Sequence, residues 1–178
     1  MAFLKGSLRA FASYSAGVFL FTFFLIAPLS MENNRNTWIA VYSLVFFVFT
    51  VIFLFKQIRK TGEEDIRKME GGAAPLRGAA LGFVGFLPYL ILELVYFIFY
   101  PRLGGTSGAN ILHAIFRCGF GPMYFIIRFS GYSWYSYVIS SLIIPVVTFL
   151  GYVSGIKGKS LSDVILTGKR DEEDFLSD

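Results

Sequence analysis

Nineteen residues, Phe11 to Leu29, pass without a single charge, and three more runs of the same kind follow. Thr37 to Phe55 and Ser133 to Gly155 are uncharged, and Gly78 to Tyr100 is interrupted only by Glu93. At a rise of about 1.5 Å per residue, each run can cross a hydrocarbon core of roughly 30 Å. Inside lipid the backbone must satisfy its own hydrogen bonds, so each run is predicted to be a helix. The expected fold class is an all-α membrane protein with four transmembrane helices, forming one integral domain over residues 1–178.

Composition agrees. Only 16% of residues are charged, against about 25% in soluble domains, and the mean hydropathy is +0.62. The net charge of +4 is not a nucleic-acid signature, because the basic residues sit beside the apolar runs, as membrane topology requires. A single cysteine, Cys118, excludes an intramolecular disulfide. With one histidine, His113, there is almost no material for a Ser-His-Asp arrangement or a zinc site. The sequence also lacks a P-loop, G-x-S-x-G, H-E-x-x-H and a dinucleotide glycine fingerprint. No catalytic residue, metal site or cofactor is assigned, and the chain is read as a non-enzyme.

The basic residues predict the orientation. Lys5 and Arg9 precede the first span. Lys56, Arg59, Lys60, Arg67, Lys68 and Arg77 fall between the second and third, and Lys157, Lys159, Lys169 and Arg170 follow the last. Four crossings with both termini in the cytoplasm place all these clusters inside, leaving Arg35, Arg102, Arg117 and Arg128 outside or within the membrane. The Lys5–Arg9 segment resembles a signal-peptide n-region, but the apolar run is too long and no A-x-A-like site follows, so an uncleaved first span is expected.

Residues 109–129 are apolar enough for a fifth span, and charge overrules length. A fifth crossing would turn the C-terminal cluster outward and leave "SGYS" as an inner loop without a basic residue. The segment is expected to enter from the outer side and return, or to lie along the outer interface. Gly119, Gly121 and Pro122 break any helix there and favour the re-entrant form. Non-helical backbone at membrane depth persists only when buried in protein or lining a water-filled cavity.

Glu93 is the one acidic residue inside a span, and an intramembrane charge is a functional-site hypothesis by default. It lies roughly 11 Å below the outer boundary, at about the depth expected of Arg117. Tyr89, Glu93, Tyr96 and Tyr100 form one stripe on the third span; Asn110, His113, Arg117, Gly121, Tyr124 and Arg128 form another on the broken segment. The stripes are expected to face each other, with a Glu93–Arg117 ion pair at the centre, His113 beside it, and Tyr89, Tyr96 and Arg128 completing a polar site. Such a pair serves either registry or the passage of a solute or proton. Gly78 with Gly82, and Gly151 with Gly155, are small-xxx-small patterns expected to let helices approach closely.

The loop 56–77 is expected to carry a short solvated helix begun by a Thr61/Glu64 capping box and ended by Gly71-Gly72, with Glu63–Arg67 and Glu64–Lys68 pairs. The tail 156–178 is expected to start a helix near Ser160 and Asp163 and to end in a solvated acidic "DEED".

The last span and its flank, "IPVVTFLGYVSGIKGKSL", pair an in-span proline with Gly-Tyr-x-x-Gly-x-Lys-Gly-x-Ser. This pattern resembles the C-terminal end of small multi-pass proteins of Gram-positive bacteria. The resemblance implies a bacterial plasma membrane and implies no activity. The expected partners are the lipid bilayer and another membrane protein or a second copy of the chain, with no nucleic acid. The first function expected is an accessory or subunit of a larger membrane complex. Alternatives are a small oligomeric transporter or channel using Glu93 and Arg117, and a membrane enzyme acting on a lipid phosphate held by Arg102, Arg117 and Arg128.

Overall fold

Proline and glycine positions set most of the element boundaries. In the computed structural model, residues 2–29, 35–68, 74–104 and 106–158 are described. They form α1 (Ala2–Phe24), α2 (Ile26–Leu29), α3 (Arg35–Lys68), α4 (Leu76–Leu103), α5 (Ser107–Gly119), a 3-10 turn (Gly121–Met123), α6 (Tyr124–Phe129) and α7 (Trp134–Ile156). No strand occurs among the described residues. Four helices, Phe3–Phe24, Asn36–Arg67, Leu76–Leu103 and Trp134–Ile156, are long and apolar enough to cross a membrane. The chain is an all-α, multi-pass membrane protein.

The first span starts earlier than expected and stops sooner. α1 ends at Phe24, and α2 follows after Leu25. Pro88 and Pro145 are absorbed inside α4 and α7 without ending them.

The expected loop 56–77 is corrected by α3. This helix continues unbroken to Lys68, through 34 residues or about 51 Å, far more than a hydrocarbon core requires. Thr61 does not cap a new helix; its hydroxyl donates to the Gln57 carbonyl one turn back (3.3 Å). One face of the segment, with Thr61, Gly62 and Asp65, is buried against the bundle, and the remaining faces are exposed or half-buried. Glu63 pairs with Arg59 (2.9 Å) instead of Arg67, and Glu64 meets Arg9 of α1 (3.0 Å), while the expected Glu64–Lys68 pair falls outside the described side chains. Gly71-Gly72, the side chain of Lys68 and the tail readings at Ser160, Asp163 and "DEED" lie outside the described residues.

The four long helices form a bundle in which α1 and α7 each pack against both α3 and α4. Small residues set the spacing. Gly78 and Gly82 of α4 stand against Tyr152 and Thr148 of α7, while Gly151 and Gly155 of α7 stand against the backbone of Phe55 and Arg59 in α3. A methyl group at Gly155 would run into the Arg59 carbonyl, so only glycine permits this approach. Tyr14, Leu54, Ile58, Leu81, Phe86 and Tyr152 fill the interior.

One end of the bundle is tied by charge. Asp65, only 4% exposed, accepts from the Tyr152 hydroxyl (2.9 Å) and pairs with Arg77 (3.4 Å), so a single carboxylate joins α3, α4 and α7. Arg9 adds α1 through Glu64 and Thr61. The opposite end is filled by α5, the 3-10 turn and α6, which pack on α4, α3, α1 and α7.

Candidate functional site

The break between α5 and α6 is supported by side chains from other helices. Thr106 caps α5, accepting from the Ala109 N–H (3.3 Å), and the helix stops at Gly119. The chain then turns through Gly121, Pro122 and Met123, all buried. The carbonyls freed by the break are met from outside it. Tyr14 of α1 donates to the Gly119 carbonyl (2.9 Å). Ser43 of α3 lies 2.8 Å from the Gly121 carbonyl and 3.0 Å from that of Pro122, and accepts from the Phe125 N–H at 3.0 Å. Non-helical backbone is therefore held inside protein, as a low-dielectric site demands. Ser43 and Tyr14 were not singled out from the sequence. Their signal is a polar side chain in an apolar run, facing a distant Gly-Pro break.

The two stripes meet only in part. Tyr96 of α4 stacks on Phe116 of α5 (ring centroids 3.9 Å apart, 3° between planes) and shares a hydrogen bond with His113 Nδ1 (2.8 Å). Tyr100 completes the cluster, its ring 5.3 Å from that of His113 and 4.7 Å from that of Tyr96. Tyr89 instead turns to α1, where its hydroxyl bonds Ser15 (2.9 Å) and its ring meets Tyr14 edge-on.

The expected Glu93–Arg117 pair is not formed. Glu93, 8% exposed, accepts from the Ser141 hydroxyl of α7 at 2.7 Å. The reason lies in helix geometry. Glu93 lies roughly 60° around α4 from Tyr96, enough to place one residue toward α5 and the other toward α7. Azimuth around the helix separates Glu93 from Arg117. The sequence signal for Ser141 is a row of hydroxyl side chains along α7, Ser136, Ser140, Ser141, Thr148 and Ser154, on an otherwise uncharged span.

Glu93 and Ser141 lie at the floor of a cavity of about 310 Å³ between α4 and α7, walled by Phe83, Leu90, Phe97, Val138 and Pro145. Its rim faces outward: Leu94 is 61% and Leu142 57% exposed. The cavity is thus a lateral groove, apolar at the lip and polar at the base.

Arg117 lines a different cavity, also about 310 Å³, with Phe21, Leu25, Leu29, Asn36, Cys118 and Tyr124 among its walls. No residue lines both large cavities. Arg117 also borders a smaller space of about 50 Å³ beside His113, Tyr132 and Tyr137. Arg128 is taken up elsewhere, donating to the Asn36 carbonyl and to Thr37 Oγ1 (3.4 Å), which ties α6 to the start of α3. The structure thus groups Tyr96 with His113, places Glu93 with Ser141, and leaves Tyr89, Arg117 and Arg128 in separate environments.

No known protein family matches the sequence, and neither a curated protein nor a solved structure shows significant similarity to it.

Proposed function

We propose that this chain is a non-enzymatic accessory subunit that receives one transmembrane helix of a larger membrane protein in the groove between α4 and α7. The observation that carries the reading is the Glu93–Ser141 pair at the base of an outward-facing apolar groove. A carboxyl at membrane depth is expensive unless partnered, and one hydroxyl leaves most of its hydrogen-bonding capacity unused. A hydrogen-bond donor on an incoming helix would complete it, at about 0.6 to 2 kcal/mol per bond, while the lip supplies packing. The proposed topology has both termini in the cytoplasm, with α5–α6 re-entering from the outer side. The basic clusters support the first point. The capture of the broken backbone by Tyr14 and Ser43 supports the second. The C-terminal resemblance favours a bacterial plasma membrane.

The test is photo-crosslinking in native membranes from a benzoylphenylalanine placed at Leu94 or Leu142, with Phe19 of α1, also exposed, as the control position. One discrete adduct from both groove positions, absent from Phe19 and lost on Glu93→Leu, supports docking. Equal adducts from Phe19, or none from the groove, sink it. An adduct of twice the chain mass favours the second reading, an oligomeric transporter. Against that reading stands the separation of Glu93 from the Arg117 cavity, which divides the polar path such a protein would need.

A further inference from the structure

Arg117 has no acidic partner among the described residues. Its guanidinium makes no hydrogen bond or ion pair among the described residues, although it lines a cavity with largely apolar walls. Glu93, the nearest acid in sequence, faces α7 from another cavity, and Glu63, Glu64 and Asp65 sit at the opposite end of the bundle. Arg128 adds a second positive charge nearby: Tyr124, in the cavity wall, lies within electrostatic reach of both guanidiniums. Asn36 and Tyr124 supply polar groups close to Arg117, whereas Phe21, Leu25, Leu29 and Ile39 supply a hydrocarbon wall. The cavity is therefore amphiphilic, with a cationic end and an apolar end.

We propose that this cavity binds one anionic phospholipid, with its phosphate on Arg117 and an acyl chain along Phe21, Leu25, Leu29 and Ile39. A planar guanidinium matches phosphate oxygens in a bidentate fork and loses less on desolvation than an ammonium would. The volume of about 310 Å³ lies at the small end of ligand sites, so it holds the headgroup region and the first part of one chain. The rest of the lipid stays in the bilayer. Binding of this kind does not depend on what occupies the α4–α7 groove, because the two cavities share no lining residue.

The protein carries its own reporter. Cys118, its single cysteine, lines the same cavity. The full chain is placed in phosphatidylcholine nanodiscs with or without phosphatidylglycerol, and alkylation of Cys118 by uncharged N-ethylmaleimide is timed. Phosphatidylglycerol is expected to slow alkylation roughly tenfold, and Arg117→Gln to remove that protection, since a charged hydrogen bond is worth about tenfold or more in affinity. Arg102→Gln, which does not border the cavity, is expected to keep it. Thermal unfolding in plain phosphatidylcholine checks that Arg117→Gln is folded. Native mass spectrometry of the wild-type chain supplies an arm that needs no variant: one phosphatidylglycerol retained before alkylation and none after it. Protection by phosphatidylcholine alone would show that headgroup charge is not read, and equal protection by added inorganic phosphate would show a simple anion site. Either result overturns the proposal, as does protection unchanged in folded Arg117→Gln.

Discussion

The Ser141 hydroxyl donates to Glu93 Oε2 at 2.7 Å, joining α4 to α7 through the single acidic residue of α4. Both side chains are buried from the bundle side, and the cavity beyond them opens laterally. A double-mutant cycle of Glu93→Ala with Ser141→Ala is expected to return a coupling of about 1 kcal/mol, read from unfolding in mixed micelles. The same cycle for Glu93 and Arg117 is expected to return a value near zero, and the charge swap between them to restore nothing. A coupling between Glu93 and Arg117 as large as that with Ser141 would contradict the geometry.

Ser43 holds three backbone groups at the α5–α6 break. Ser43→Ala is expected to cost about 1 to 3 kcal/mol, because buried carbonyls and an N–H lose their partner without gaining water. Hydrogen exchange at residues 120–126 should quicken more than at the middle of α7. Uniform acceleration through the bundle would mean that Ser43 supports the whole fold rather than the break.

At the other end, Tyr152→Phe removes one hydrogen bond to Asp65 and leaves its ion pair, so a loss of about 1 kcal/mol is expected. Asp65→Ala removes both interactions from a buried position and is expected to cost about 3 kcal/mol. Comparable losses for the two variants, measured in the same unfolding assay, would show that the ion pair contributes nothing.

Glycines in α7 and α5 should respond to alanine with opposite signs. Gly155→Ala drives a methyl into the Arg59 backbone and is expected to destabilise by about 1 to 3 kcal/mol. Gly108→Ala, whose methyl meets only Thr106 Oγ1 at 3.7 Å, is expected to gain up to about 1 kcal/mol from helix propensity. Melting temperatures of the two variants decide this, and a stabilised Gly155→Ala would mean that α3 and α7 are not in close contact.

The spans were legible because hydrocarbon imposes a length and a polarity that a single chain must declare openly. The contact between the two stripes was legible in part: Tyr96 and Tyr100 do reach His113, although the expected centre of that contact was a Glu93–Arg117 pair. Glu93 was misassigned because depth constrains only one coordinate. Its azimuth depends on where α7 packs, and that follows from Gly78, Gly82, Gly151 and Gly155 acting together. The segment from Lys56 to Lys68 misled for another reason: charge in sequence was taken as exposure to water. Asp65 shows that a charged residue can be buried in a helix when Tyr152 and Arg77 meet it from its neighbours.

The unbroken length of α3 has a mechanical meaning. Ser43 and Asp65 stand roughly 33 Å apart on one rod, the first gripping the broken backbone, the second knotting the far end of the bundle. A helix without a hinge between two such grips transmits torque. The two grips therefore share one rigid backbone, so neither Ser43 nor Asp65 can turn about the α3 axis without straining the hydrogen bonds between them.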